Sequence, residues 1–424
     1  MEKRSAKSNF GFRGWMLVLY CFFSILGITC VPEIFNVTGE YYHATFGWST
    51  PTLQLFLTIG GLTSCILMVI ISNVSMKISV KKITTIFLVI FIVGIVGLGF
   101  VNSLWMMGII VIILFLIGDT ISFILNSILV NNWFPKRSGM VMGWTTMAYP
   151  LSGAVATILL ISFMAIGGIH TTYLPIAILA AIALIILIIF LKDYPEQCGC
   201  FPDNDPTEIR EDASHLEKEA SGVWTTKRVL STKEFWFVSL SIALMMFSSG
   251  FMTQITPALL SLGFDINLLI PVMIGIAVVA CIGSYLIGVL DMKLGTKWAT
   301  VIVDIALFIM GILVLTNSLP CVMVAFGFLG VVMGGGSNLL VSYVGGLWGK
   351  HFTHVFRFAQ PICSFFGAIA MYIIAVVSEA FGGYKASFVL ASILAVISAI
   401  LILLVNPKNV EKKTEKFEAE AVTE

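Results

Sequence analysis

Four ionisable residues stand in stretches that are otherwise apolar, and each type suits a particular chemistry. Asp119 lies in "LIGDTISFILNS". A carboxylate withdrawn from water can take up and release a proton or meet a polar ligand. Its structural alternative is a hydrogen bond to Ser122 or to a neighbouring helix. Arg357 lies in "HVFRFAQPICS", about one helical turn into its apolar run. Its planar guanidinium matches a carboxylate through two parallel hydrogen bonds. Its alternative is to reach out to the headgroup layer. Asp304 lies about two turns into another run, and Glu33, beside Pro32, ends the first run and reads as a solvated interface position.

A second tier is uncharged. Gln254 precedes Pro257 in "SSGFMTQITP", Tyr149 adjoins Pro150, and Gln360 adjoins Pro361. Asn126 follows Asp119 by two turns, and Asn338 follows Ser337 in "GVVMGGGSNLLVSYVGG". Pro and Gly that interrupt membrane helices mark places where polar groups can line a cavity. The same residues also serve as kinks and packing points. His43, His170 and His354 have no partner at metal-binding spacing. The pair Cys198 and Cys200 lacks a second pair and reads as two reduced loop thiols. No nucleotide loop or Ser–His–Asp set is visible. Neither catalysis nor a metal or other cofactor is expected.

The elements that must position these residues follow from composition. Hydrophobic residues make up 58% of the 424 residues and charged residues 11%. A soluble domain carries about 25% charged residues, so this chain lacks the charge to cover a water-facing surface. The net charge of +1 gives no basis for nucleic-acid binding. Twelve apolar segments approach the ~20 residues needed to span a bilayer. They are residues 14–36, 50–72, 83–101, 104–127, 139–162, 171–192, 235–260, 268–290, 298–316, 320–345, 354–377 and 386–405. The first is too long for a signal peptide and is expected to remain. The implied plan is an all-α integral membrane protein. Residues 1–192 form one six-helix bundle, 193–234 a cytoplasmic linker, 235–405 a second bundle and 406–424 a cytoplasmic tail. Of the 24 Lys and Arg, only Lys385 and Arg357 fall outside the loops and ends on one side. The positive-inside rule then puts both termini in the cytoplasm, and the expected location is the plasma membrane.

The two bundles share a pattern. "SMKISVKKITT" follows the second segment and "DMKLGTKWATV" the eighth. A shift of 216 positions lays Met76 on Met292, Lys77 on Lys293, Lys81 on Lys297 and Cys65 on Cys281. Parallel six-helix repeats are the plan of a rocking-bundle transporter.

At these residues the chain resembles the major facilitator superfamily, which carries a G-x-L-x-D-R-x-G-x-R/K loop after its second helix and a weaker copy after its eighth. Here Gly288, Leu290, Lys293, Gly295 and Lys297 fall in the pattern, with Asp291 one position early. The first copy has Met76 in the Asp slot and Ser79 in the Gly slot. Three further stretches are similar to the oxalate/formate antiporter and monocarboxylate transporter branch: "NNWFPKRSGMVMGW", "FGWSTPTLQ" and "DYPEQCGCFPDN". The resemblance implies that segments 1, 4, 7 and 10 line a central cavity, and that Asp304, on peripheral segment 9, belongs to a structural pair. It also implies cations on segments 8 and 11 for a compact dianion. Segment 8 has none, which favours a monoanion or a less charged substrate.

The resulting expectation is a monomeric secondary transporter of a small organic anion, a monocarboxylate, working by proton symport or anion exchange. The expected substrate contacts are Arg357, Gln254, Asn338, Gln360, Tyr149 and Asn126, with Asp119 coupling transport to protons. Gating loops are expected at Lys77, Lys81, Arg137, Asp291, Lys293, Gly295 and Lys297. Efflux of amphipathic compounds and a transporter-like solute sensor are the alternatives.

Overall fold

The computed structural model of the chain describes residues 10–75, 77–134, 138–205 and 223–423. Among them there are helices and connecting turns and no strand. Twelve helical spans are long and apolar enough to cross a membrane. Spans 1 to 6 are Gly11–Phe46, Thr50–Ser72, Val80–Leu98, Leu104–Trp133, Trp144–Gly167 and Ile169–Phe190. Spans 7 to 12 are Lys233–Ser261, Ile266–Leu294, Thr296–Leu315, Leu319–Trp348, Val355–Ala380 and Lys385–Leu403. The first span outruns the sequence reading by ten residues at its far end. It breaks after Thr29 and resumes at Ile34, around Pro32. Proline lacks the amide hydrogen that an unbroken helix would use there.

Lipid tails are as apolar as leucine, so the spans are held by close packing and by hydrogen bonds rather than by hydrophobic exclusion. Spans 8 and 10 show the packing. A Cβ built on Gly334 would come 1.9 Å from the Ala280 carbonyl oxygen, and one on Gly330 2.6 Å from that of Ile276. Only glycine permits such backbone contact.

The chain forms two compact units. One holds Met1–Val31, Ile66–Ser152 and Leu159–Glu211; the other holds Pro32–Cys65, Gly153–Ile158 and Asp212–Glu424. Within the first unit, spans 1 and 3 pack on span 6. Within the second, span 9 packs on spans 10 and 12, and span 7 on span 12. Phe251 of span 7 stacks on Phe388 of span 12 with ring centres 4.2 Å apart.

The expected C-terminal tail is a helix, Pro407–Thr423, with one side seated on the second unit. Val410 is fully buried. Phe417 meets the buried Trp224 edge-on, and the Arg228 guanidinium lies 4.3 Å from the Phe417 ring centre. Asn409 donates to Glu234 at 2.8 Å, Lys413 approaches the same carboxylate at 3.8 Å, and Glu418 lies 3.3 Å from His351.

Candidate functional site

Span 4 changes its winding at Asp119. Residues Leu104–Asp119 are α-helical, Thr120–Leu125 form a π turn, and Asn126–Trp133 resume the α-helix. Hydroxyls flank the turn and bond backward to backbone: Thr120 to the Leu116 carbonyl and Ser127 to the Phe123 carbonyl, both at 2.8 Å. Such back-bonding competes with the helix ladder, and π turns recur where a helix carries function. Asp119 is half-buried here. Tyr149 of span 5 lies within electrostatic reach of it and beside Ser122, and its ring stacks on Phe123 at 6.0 Å.

One turn beyond, Asn126 is fully buried. Its carbonyl oxygen accepts from the Tyr20 hydroxyl at 2.8 Å, and its amide donates to Ser24 at 2.9 Å. Ser24 in turn donates to the Cys21 carbonyl at 3.1 Å. Asp119 and Tyr149 thus lie within electrostatic reach of each other at the start of the π turn, while Asn126, at its far end, is engaged with Tyr20 and Ser24 of span 1. A carboxylate beside a phenol is an arrangement that can pass a proton. Tyr20 and Ser24 were not singled out from sequence. Their spacing of four in an apolar helix was a signal, since it stacks two polar groups on one face.

A second polar group lies in the other unit, where span 7 unwinds. Phe247–Gln254 is 3₁₀-helical, between α-helices Lys233–Met246 and Ile255–Ser261. Gly250 allows this stretch to approach span 11: a Cβ there would fall 2.9 Å from Ala370 backbone. Gln254 is fully buried and engaged at both ends. It donates to the Met371 carbonyl at 2.7 Å and accepts from the Tyr384 hydroxyl at 2.8 Å. Burial, with a smaller push from the Glu40 charge, moves the Tyr384 hydroxyl well above the usual tyrosine range, so it stays a donor.

Beside this stretch, Asn36 bonds to Glu33 at 2.8 Å, to the Met252 carbonyl and to Thr256. Gln54 and Thr253 exchange two bonds at 3.1 and 2.9 Å. Glu33 is therefore not a solvated interface residue. It is 6% exposed, with Asn36 as its donor.

The remaining candidates are dispersed. Arg357 is exposed, five residues into the helix Phe352–Ala380, and its guanidinium lies 4.8 Å from the Phe358 ring centre. Gln360, one turn on, is half-buried and reaches Ser364 at 3.5 Å. Asn338 is exposed on span 10.

In the loops, Lys77 and Lys293 are exposed and Asp291 is half-buried at the end of span 8. Lys81 donates from Nζ to the carbonyls of Ile188 and Leu191, both at 2.8 Å, at the end of span 6. Lys297 does the same to Leu403 and Val405, at 2.7 and 3.2 Å, at the end of span 12. Gly295 sits at φ +83° between spans 8 and 9. Arg137, Met76 and residues 206–222 of the expected linker lie outside the described residues. No group of three or more His, Cys, Asp or Glu among the described residues is placed to hold a metal ion.

Solved transporters share this architecture. A bacterial homologue of the human lysosomal transporter Spinster, in an inward-facing, unoccupied conformation, is 15% identical with a TM-score of 0.75; the match covers 95% of this chain and 98% of that one. The nucleoside transporter NupG is 12% identical with a TM-score of 0.68, covering 92% and 99%. At these identities the likeness is one of fold. No curated protein matches the sequence. The family model of the Major Facilitator Superfamily matches residues 16–290. With twelve spans and a sequence match over more than half its length, the chain belongs to the Major Facilitator Superfamily.

Proposed function

We propose that this chain is a proton-coupled secondary transporter of a small organic anion, of the monocarboxylate class, built from two six-helix halves that alternate access. The observation that carries the coupling is the break in span 4. There a half-buried carboxylate, Asp119, ends an α-helix and meets a π turn with Tyr149 alongside. A mid-span carboxylate is costly and needs a compensating role. Arg357 is the basic residue on span 11 and serves as the counter-ion for the carboxylate, at the site or at its inner mouth. The stretches similar to the oxalate/formate and monocarboxylate branch support that substrate class. The clustering of Lys and Arg on one side supports cytoplasmic termini in a plasma-membrane protein.

One observation favours efflux of amphipathic compounds as a second reading. Asn126 and Gln254 already spend both amide functions on protein partners. A substrate would then meet chiefly aromatic groups such as Phe123 and Tyr149.

Proteoliposomes with an imposed pH gradient and labelled formate, acetate and lactate decide between them. The wild type should take up at least one of these when the gradient is inward-acid. Asp119→Asn, at equal reconstitution, should lose at least tenfold of the gradient-driven rate. Gradient-driven uptake unchanged by Asp119→Asn removes that residue from coupling. No carboxylate uptake by the wild type favours the efflux reading.

A further inference from the structure

Asp304 was expected to belong to a structural pair. It instead sits in a cluster of hydroxyls drawn from three spans, all in the second unit. Asp304 of span 9 is 1% exposed, while Ser398 of span 12 and Ser241 of span 7 are fully buried. Ser398 Oγ lies 2.9 Å from Asp304 Oδ2, 2.9 Å from the Ser241 carbonyl oxygen and 3.0 Å from Ser241 Oγ. Asp304 Oδ1 has no hydrogen-bond partner among the described residues.

Three short contacts need three hydrogens. The two serines supply two. With Asp304 ionised, Ser398 must choose between the carboxylate and the Ser241 carbonyl, and an uncompensated charge is left on Oδ1 in a low-dielectric setting, which is unfavourable. With Asp304 protonated, its hydroxyl donates to Ser398, Ser398 donates to the Ser241 carbonyl, and Ser241 donates to Ser398. All three contacts are then made at once.

Among the described residues no charge nearby supplies an alternative. On span 9, Lys297 lies seven residues away, about 10 Å along the helix, and its Nζ is occupied by the carbonyls of Leu403 and Val405. On span 7, Lys233 is exposed at the helix start and Glu234 is held by Asn409 and Lys413. Span 8 carries Cys281 and Tyr285, both exposed, and Asp291 and Lys293 at its end, and span 12 carries Lys385 at its start. Span 10 has no Asp, Glu, Lys, Arg or His; its titratable side chains are Cys321 and Tyr343. None of these groups makes a hydrogen bond or ion pair with Asp304 among the described residues.

We propose that Asp304, Ser398 and Ser241 form a proton-binding site, in which the bound proton completes the link between spans 7, 9 and 12. Loss of that proton removes one of the three contacts and loosens span 12 from span 7. The site is independent of what the protein carries and of any role for Asp119.

The test is infrared spectroscopy of the full chain, labelled with carboxyl-13C aspartate and reconstituted in phosphatidylcholine–phosphatidylglycerol vesicles at neutral pH. An isotope-shifted carbonyl band of a protonated acid is expected, and Asp304→Asn should abolish it. Ser398→Ala should move it to higher frequency by removing the acceptor of the acid proton. A wild-type spectrum without such a band overturns the site, as does a protonated-acid region of the spectrum that Asp304→Asn leaves unchanged. If the Asn variant does not fold, Ser398→Ala decides: an unmoved band overturns the site.

A second readout is thermal stability against pH. A folded state that holds a proton released on unfolding loses stability as pH rises. Asparagine carries its own donors at every pH. The wild type's melting temperature should therefore fall relative to Asp304→Asn from mildly acidic to alkaline pH. A difference that does not change with pH overturns the proposal.

Discussion

The loops after spans 2 and 8 carry the same lysine and use it in the same way. Lys81 closes the open carbonyls at the end of span 6, and Lys297 those at the end of span 12. A helix end leaves its last carbonyls without internal partners, and a lysine reaching across from a neighbouring loop satisfies two of them.

The surroundings then diverge. In the first loop Ser79 occupies the glycine slot, keeps φ at −50° and accepts from the Lys82 amide at 3.3 Å. In the second, Gly295 takes φ +83°. The end of span 6 has further partners: Trp133 donates to the Lys192 carbonyl at 2.9 Å, Asn132 to that of Asp193 at 3.2 Å, and Asp193 accepts from the Lys81 amide at 2.6 Å.

Deeper in the bundles, the same shift of 216 that pairs the lysines places Leu88 where Asp304 stands. Leu88 is fully buried. Span 6 has no hydroxyl along Leu174–Phe190, while span 12 has Ser387, Ser392 and Ser398. The repeated plan therefore requires the lysine cap. It does not require a polar interior at that level, so the Asp304 cluster is an addition to the fold.

The comparison breaks most visibly if the two interiors are exchanged. Leu88→Asp puts a carboxyl at a fully buried position of a unit whose span 6 offers it no hydroxyl, and should cost about 3–5 kcal/mol, the range for an uncompensated buried charge. Asp304→Leu should change stability by no more than about 1 kcal/mol, because apolar replacement of a buried polar group is often neutral and the two serines still bond to each other. Unfolding in mixed micelles measures both. Equal costs would mean that the polar cluster is required by packing after all.

Next in size are the caps. Lys297→Met should lose about 1–2 kcal/mol, the value of hydrogen bonds from a charged donor. Lys81→Met should lose about 0.5–1 kcal/mol, since Trp133 and Asn132 still bind the end of span 6. A reversed order would show that the extra partners depend on Lys81.

The last contrast is at the glycine slot, where Ser79→Ala is the smallest effect of all. Gly295→Ala should cost about 1–2 kcal/mol, the order of penalty for holding a residue with a Cβ at φ +83° and ψ +155°, a conformation essentially confined to glycine. Ser79→Ala should cost about 0.5 kcal/mol, at the low end for a lost helix cap. Equal melting temperatures for the two variants would erase the distinction between the loops.

Much of this was legible before any coordinates. Span number follows from the lengths of apolar runs, and the lysine repeat from residue identity alone. Asp119 and Tyr149 were singled out by type, and Tyr149 lies within electrostatic reach of Asp119. What sequence could not supply was helix rotation. Ser241, Ser398 and Asp304 are separated by 63 to 157 positions, and nothing in their local patterns says that they face one another. The π turn in span 4 keeps an apolar, helix-compatible composition, so no breaker announced it; the unwinding in span 7 was marked by Gly250 and Pro257, but falls on Phe247–Gln254, ahead of the proline. Glu33 was misplaced for a related reason: its position at the end of a run suggested water, while burial depended on Asn36 turning toward Met252 and Thr256.

The glycine contacts between spans 8 and 10 have a mechanical consequence. Where two backbones touch at Gly330 and Gly334, no side-chain layer lies between them to slip or rearrange. The pair bends and tilts as one stiff beam. Flexing of the second unit is then taken up elsewhere, and the 3₁₀ stretch Phe247–Gln254 is one place where its ladder of hydrogen bonds is already irregular.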